Sequence, residues 1–133
     1  MSKNTGINYI HDQIKCLLDS LTEDDYKRDL PILGHVSISK HLRHVYEFYK
    51  LINDARHNRV IDYSLRKRNE DFENSISIAK SYLQIMFNEI SEIDFTTNLI
   101  VVNDEIDSDK ILEFKSSFGR ELMYAFDHAI HHL

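Results

Sequence analysis

The chain has 133 residues, 22 acidic against 16 basic side chains and a formal net charge of −6, with 42% hydrophobic residues. That length suits one domain with a real core, residues 1–133, and the acidic balance excludes a phosphate-seeking surface, so no nucleic acid is expected as a partner. No apolar run reaches the roughly 18 residues of a membrane span, and the first residues lack the basic and apolar regions of a secretory signal, so no membrane association and a cytoplasmic location are expected.

A single cysteine, Cys16, forms no internal disulfide, and its place within an apolar rhythm marks it as a helix position rather than a nucleophile. Three glycines and one proline predict long regular elements, with helices dominant. Ile7, Ile10, Ile14, Leu17, Leu18 and Leu21 recur at steps of three and four, which predicts a first helix over about 7–20. Thr22 to Leu33, charged and holding Pro31, reads as a connecting loop with one helical turn starting at Thr22; Gly34 closes it.

Ser37 or Ser39 caps a second helix running to about Asn58, with Ile38, Leu42, Val45, Phe48, Tyr49 and Ile52 as its apolar stripe. His41 and His44 flank that stripe, and the helical period favours His41 as the more buried without choosing a ligand. Val60 to Arg68 is a connector carrying the basic cluster Arg66-Lys67-Arg68. A third amphipathic helix is expected from about Glu70 to Glu92, on Phe72, Ile76, Ala79, Leu83, Met86, Phe87 and Ile90. The β-branched run Leu99-Ile100-Val101-Val102 and the answering Ile111-Leu112-Glu113-Phe114 predict a small β-hairpin.

Ser116 to Leu133 is the fourth helix, and three of the eight histidines fall in its final six positions. His128 and His132 stand one turn apart on one face, with His131 offset. Two imidazoles at that spacing reach one divalent cation at about 2.0–2.1 Å, and a third ligand must come from another element. If the second helix packs beside the fourth, His41 or His44 supplies it, leaving an open position of the kind catalytic sites keep. The expected fold is all-α, a four-helix bundle with a small β-hairpin between helices three and four.

Ser37-Ile38-Ser39-Lys40-His41-Leu42-Arg43-His44-Val45, Asp62-Tyr63 with Arg66 and Arg68, and Arg120-Glu121-Leu122 followed by His128-Ala129-Ile130-His131-His132 occur in an order and spacing that resemble the DinB/YfiT-like superfamily of four-helix-bundle metalloenzymes. The resemblance covers nearly the whole chain. It implies a metal site of His44, His128 and His132. Relatives of this kind continue past the position of Leu133, so the native chain is expected to extend beyond it. Glu121, two turns before His128, is the candidate catalytic base or partner orienting an imidazole. Tyr63, Arg66 and Arg68 are candidate substrate-binding residues for an anionic group; the same arginines would also serve to tie the connector to helix three.

The activity that the resemblance implies is thiol S-transfer, in which a divalent metal ion activates a low-molecular-weight thiol toward an electrophile. Zinc or nickel heads the candidate list, with iron or manganese after them, because imidazole ligates several first-row metals. A metal-dependent hydrolase at the same site is the first alternative. The second is a stress-associated bundle that binds metal or dimerises without catalysis, its apolar helix faces offering a surface for a second copy.

Overall fold

The computed structural model describes residues 5–103, 106–107 and 109–132, with the side chains of Thr5 and His132 left out. Four long helices carry the core: α1 (Thr5–Ser20), α3 (Ile38–Asp54), α5 (Ile76–Ile90) and α6 (Phe118–His132). Two short helices, α2 (Glu23–Lys27) and α4 (Glu70–Asn74), lie in the connections. Five strands complete the described residues: β1 (Asp29–Leu30), β2 (Val36–Ser37), β3 (Val60–Asp62), β4 (Asn98–Asn103) and β5 (Leu112–Ser117).

The all-α four-helix-bundle expectation is therefore corrected: the chain is a mixed helix-and-sheet fold with six α-helices and two sheets among the described residues. The strands of the hairpin pair antiparallel, Leu99 with Ser116 and Val101 with Phe114. They are not an isolated insert, because the connector strand β3 adds to β4 in parallel, Ile61 opposite Val101, making a three-stranded sheet in the order β3-β4-β5. A second sheet of two residues per strand joins β1 to β2, antiparallel.

Apolar residues at steps of three and four give each long helix one buried stripe: Ile7, Ile10, Ile14 and Leu18 on α1; Leu42, Val45, Tyr49 and Ile52 on α3; Ala79, Leu83, Phe87 and Ile90 on α5; Leu122, Ala125 and Ala129 on α6. Helix α3 packs against both α5 and α6, and α1 closes the core from the other side against the same two helices. None of the helices among the described residues is long and apolar enough to cross a membrane.

Local chemistry sets the boundaries. Ser37 caps α3, its hydroxyl accepting from the Lys40 amide at 3.1 Å. Thr22 and Asp25 form a reciprocal capping box on α2. The single long third helix is broken at Ser75, whose backbone is extended (φ −156°, ψ 134°). Ser75 caps the Ile78 amide, and the Ile76 amide donates to the Glu23 carboxylate at 3.1 Å, so a residue from far upstream holds the break open. The serine pair before α6 divides its work: Ser116 and Ser117 are strand residues, and only the Ser117 hydroxyl accepts from a helix amide, that of Arg120 at 3.2 Å. Gly119 is required by contact, since its amide donates to the Phe95 carbonyl at 2.9 Å and a Cβ there would stand 2.9 Å from that oxygen.

Candidate functional site

Packing α3 against α6 brings His44 and His128 together. Their ring centroids are 4.9 Å apart with planes at 54°, and both residues are half-buried. Phe48, one turn after His44, closes the pair from the side at 4.2 Å from the His128 ring and 5.1 Å from that of His44. Tyr124, one turn before His128, stacks along the same row at 6.4 Å. His132 continues α6 one turn beyond His128, but its side chain lies outside the described atoms. Among the described residues no group of three His, Cys, Asp or Glu side chains is arranged to hold a metal ion, so the two-histidine pair is what the structure shows. His41 is half-buried and His131 is exposed.

The fit of a divalent cation to this pair follows from its donors. With bonds of about 2.0–2.1 Å and a ring nitrogen about 1.1 Å from its centroid, two imidazoles on one tetrahedral cation place their centroids about 5 Å apart. The observed 4.9 Å is compatible with that separation and is equally that of packed aromatic rings.

Glu121 is buried and uses both carboxylate oxygens. Oε1 accepts from the Tyr63 hydroxyl at 2.6 Å and Oε2 from the Ser116 hydroxyl at 2.6 Å. Connector, strand β5 and helix α6 are thus pinned at one point beside the histidine row. Burial, then the hydrogen bond to Glu121 and its charge, push the Tyr63 phenol well above its ordinary range, so Tyr63 stays protonated. Glu121, expected as a base or as a partner orienting an imidazole, has its two carboxylate oxygens taken up by Tyr63 and Ser116. Tyr63, a candidate substrate-binding residue, donates its hydroxyl to Glu121 and offers its ring, 5.6 Å from Phe48 and 5.8 Å from Tyr124.

The two candidate arginines part company. Arg66 lays its guanidinium carbon 4.8 Å over the Phe48 ring, and its Nε is 3.5 Å from Glu47 Oε1. Arg68 turns to Glu73 on α4 at 3.5 Å, the structural role that the sequence also allowed for it. Glu47, only 4% exposed, gathers donors from three places: Arg43 Nε at 3.4 Å, Arg66 Nε at 3.5 Å and the Asn69 amide at 2.8 Å. Arg43 also reaches Glu73 at 3.0 Å.

Sequence reasoning missed Glu47, Phe48, Ser116 and Tyr124 as parts of this assembly. For two of them a signal existed: Arg43 and Glu47 have the i,i+4 spacing of a helical ion pair, and Tyr124 lies one turn before His128. Ser116 was legible only as the start of the fourth helix. A cavity of about 480 Å³ opens beside Phe48, between the connector and the end of β4, and is lined by Asp62, Tyr63, Arg66, Asn103 and Tyr124 among others.

These features define a mixed helix-and-sheet chain with paired histidines from two helices and a tyrosine–glutamate contact next to them. No family model matches the chain, and no solved structure matches it. FK506-binding protein 5 of Rhizopus delemar is 41% identical to it over 78 residues, 55% of this chain and 20% of that protein. The chain thus spans about a fifth of the length of that relative.

Proposed function

We propose that this chain is a metal-dependent enzyme of the DinB-like kind, in which His44, His128 and His132 hold a divalent cation and a low-molecular-weight thiol is transferred to an electrophile. The observation that supports the reading is the approach of His44 on α3 to His128 on α6, at a separation compatible with two imidazoles sharing one cation. When bound, a divalent cation with an open position lowers the pKa of a thiol and supplies a thiolate near neutral pH. Zinc or nickel suits the imidazole donors best.

The remaining residues have work that does not depend on the metal's identity. Phe48 and Tyr124 wall the histidine row on one side. Glu121 fixes the Tyr63 ring in that wall. Arg66, held by Glu47, gives the adjoining cavity a positive group for an anionic part of the thiol. A pool of reduced small thiol is a cytoplasmic co-reactant, and we assign the protein to that compartment.

The test is a conjugation assay with metal-supplied protein, a small thiol and the electrophile 1-chloro-2,4-dinitrobenzene. Chloride release and thioether formation above the uncatalysed rate, lost in His128→Ala, are the expected result. Turnover that is unchanged when the thiol is omitted would overturn thiol transfer in favour of hydrolysis.

A further inference from the structure

The cavity beside Phe48 is lined by side chains of both charge signs. Asp62, at the end of β3, accepts at Oδ1 from the Ser64 amide (3.0 Å) and the Ser64 hydroxyl (2.5 Å), which fixes the carboxylate and leaves its other oxygen for a further donor. Arg66 lies four residues on. Its Nε is taken up by Glu47 and its plane is carried by Phe48, which leaves the terminal nitrogens for an acceptor. Glu47 accepts also from the Asn69 amide and is ion-paired with Arg43, so the guanidinium of Arg66 is held from a buried anchor. Asn103, on β4, adds a side-chain amide to the same wall.

A carboxylate in the ligand would satisfy Arg66 and an ammonium would satisfy Asp62. Either group alone would leave one protein charge facing the ligand without a counterpart. Phe48 and Tyr124 line the cavity and are also the ring neighbours of His128, so a ligand seated by its head in this cavity has its other end next to the histidine row.

We propose that the cavity is a subsite for an α-amino-carboxylate head, so that the thiol used here is an amino-acid thiol, bound by Arg66 at its carboxylate and by Asp62 at its ammonium. This rests on the thiol-transfer reading for the role of the thiol, while the head subsite stands on the cavity alone. Cysteine and γ-glutamyl thiols such as glutathione both carry this head, at different distances from sulfur.

The experiment titrates the purified chain by ¹⁵N–¹H NMR with three thiol-free probes: L-2-aminobutyrate, butyrate and propylamine. Aminobutyrate should shift the amides of Asp62, Ser64, Arg66 and Asn103 saturably, with each single-charge probe at least about tenfold weaker. Asp62→Asn should weaken aminobutyrate and strengthen butyrate until the two bind alike, and Arg66→Gln should weaken both carboxylates. The spectra report directly whether each variant is folded, and Arg66→Lys, which keeps the charge but not the fork, should retain part of the binding. Butyrate binding as tightly as aminobutyrate would overturn the role of Asp62, and no saturable shift with any probe would overturn the subsite. Competition by L-cysteine and by glutathione then distinguishes the two sources, and failure of both to displace aminobutyrate would also overturn the proposal. Metal content is measured separately on the same samples, so loss of the metal reading leaves the head-binding result standing.

Discussion

Helix α3 buries aromatic side chains on two sides, and the two sides treat a buried phenol differently. Toward α5, Tyr49 is fully buried 5.2 Å from the Phe87 ring, and its hydroxyl has no hydrogen-bond partner among the described residues. Toward α6 and the connector, the half-buried Tyr63 donates to a buried carboxylate, which accepts also from Ser116. Both phenols are pushed well above their ordinary range, Tyr49 by burial alone and Tyr63 by burial together with Glu121. A core uses tyrosine for its ring and tolerates the cost of the hydroxyl, whereas the α6 side spends two hydroxyl groups and an acid to hold one ring in place. That arrangement, next to two histidines, sets the α6 side apart from the core.

Substitutions can break this contrast, beginning with the anchor of the α6 side. Glu47→Ala leaves Arg43 with Glu73 alone and releases Arg66 and the part-buried Asn69 amide, so urea denaturation should show a loss of about 2–3 kcal/mol. A loss below about 1 kcal/mol would mean that water already screens these pairs. Tyr63→Phe leaves Glu121 Oε1 buried without that donor and should cost about 1–3 kcal/mol. Tyr49→Phe removes a hydroxyl that has no partner to lose, so its stability should match or slightly exceed that of the parent. Equal losses in the two tyrosine variants would erase the distinction.

Alkaline pH sharpens the same comparison. Folded Tyr49 and Tyr63 hold their protons more tightly than an unfolded tyrosine, whose pKa is about 10, so their contribution is complete below pH ~10 and is lost as pH rises above it. Tyr46, pushed up to about 12 mainly by burial, adds to that loss. Melting temperature should therefore fall above pH ~10, and less steeply in either phenylalanine variant. The smallest effect belongs to His11, stacked 4.8 Å from the Phe87 ring, whose pKa is lowered chiefly by burial. Its neutral form is the folded one, so its contribution is complete above the unfolded pKa of about 6.5 and fades as pH falls below it. His11→Gln should flatten the melting curve's dependence on pH in that acidic window.

Periodicity made the four long helices legible because each stripe is a local property of 15 or more residues. It failed where a distant group decides. The apolar rhythm runs from Phe72 through Ile76 to Ala79 without interruption, yet Glu23 takes the Ile76 amide and the helix breaks at Ser75. The parallel pairing of β3 with β4 joins Ile61 to Val101 across α4 and α5, a contact that no local window contains, and so the connector read as irregular and the fold as all-helical. Within the site, His128 carries the i,i+4 spacing with His132, whereas the helical period does not choose between His41 and His44 and only the resemblance points to His44; the structure brings His44 and His128 together. Glu47 carries only the i,i+4 spacing with Arg43, which reads as a solvent-facing helical pair until the connector folds over it.

The most direct test of the account is the metal content of purified, metal-supplied protein, measured beside His44→Ala and His128→Ala handled identically. The account predicts about one equivalent of divalent metal in the parent and its loss from both variants. A folded parent without metal, or variants that keep the full equivalent, would contradict it.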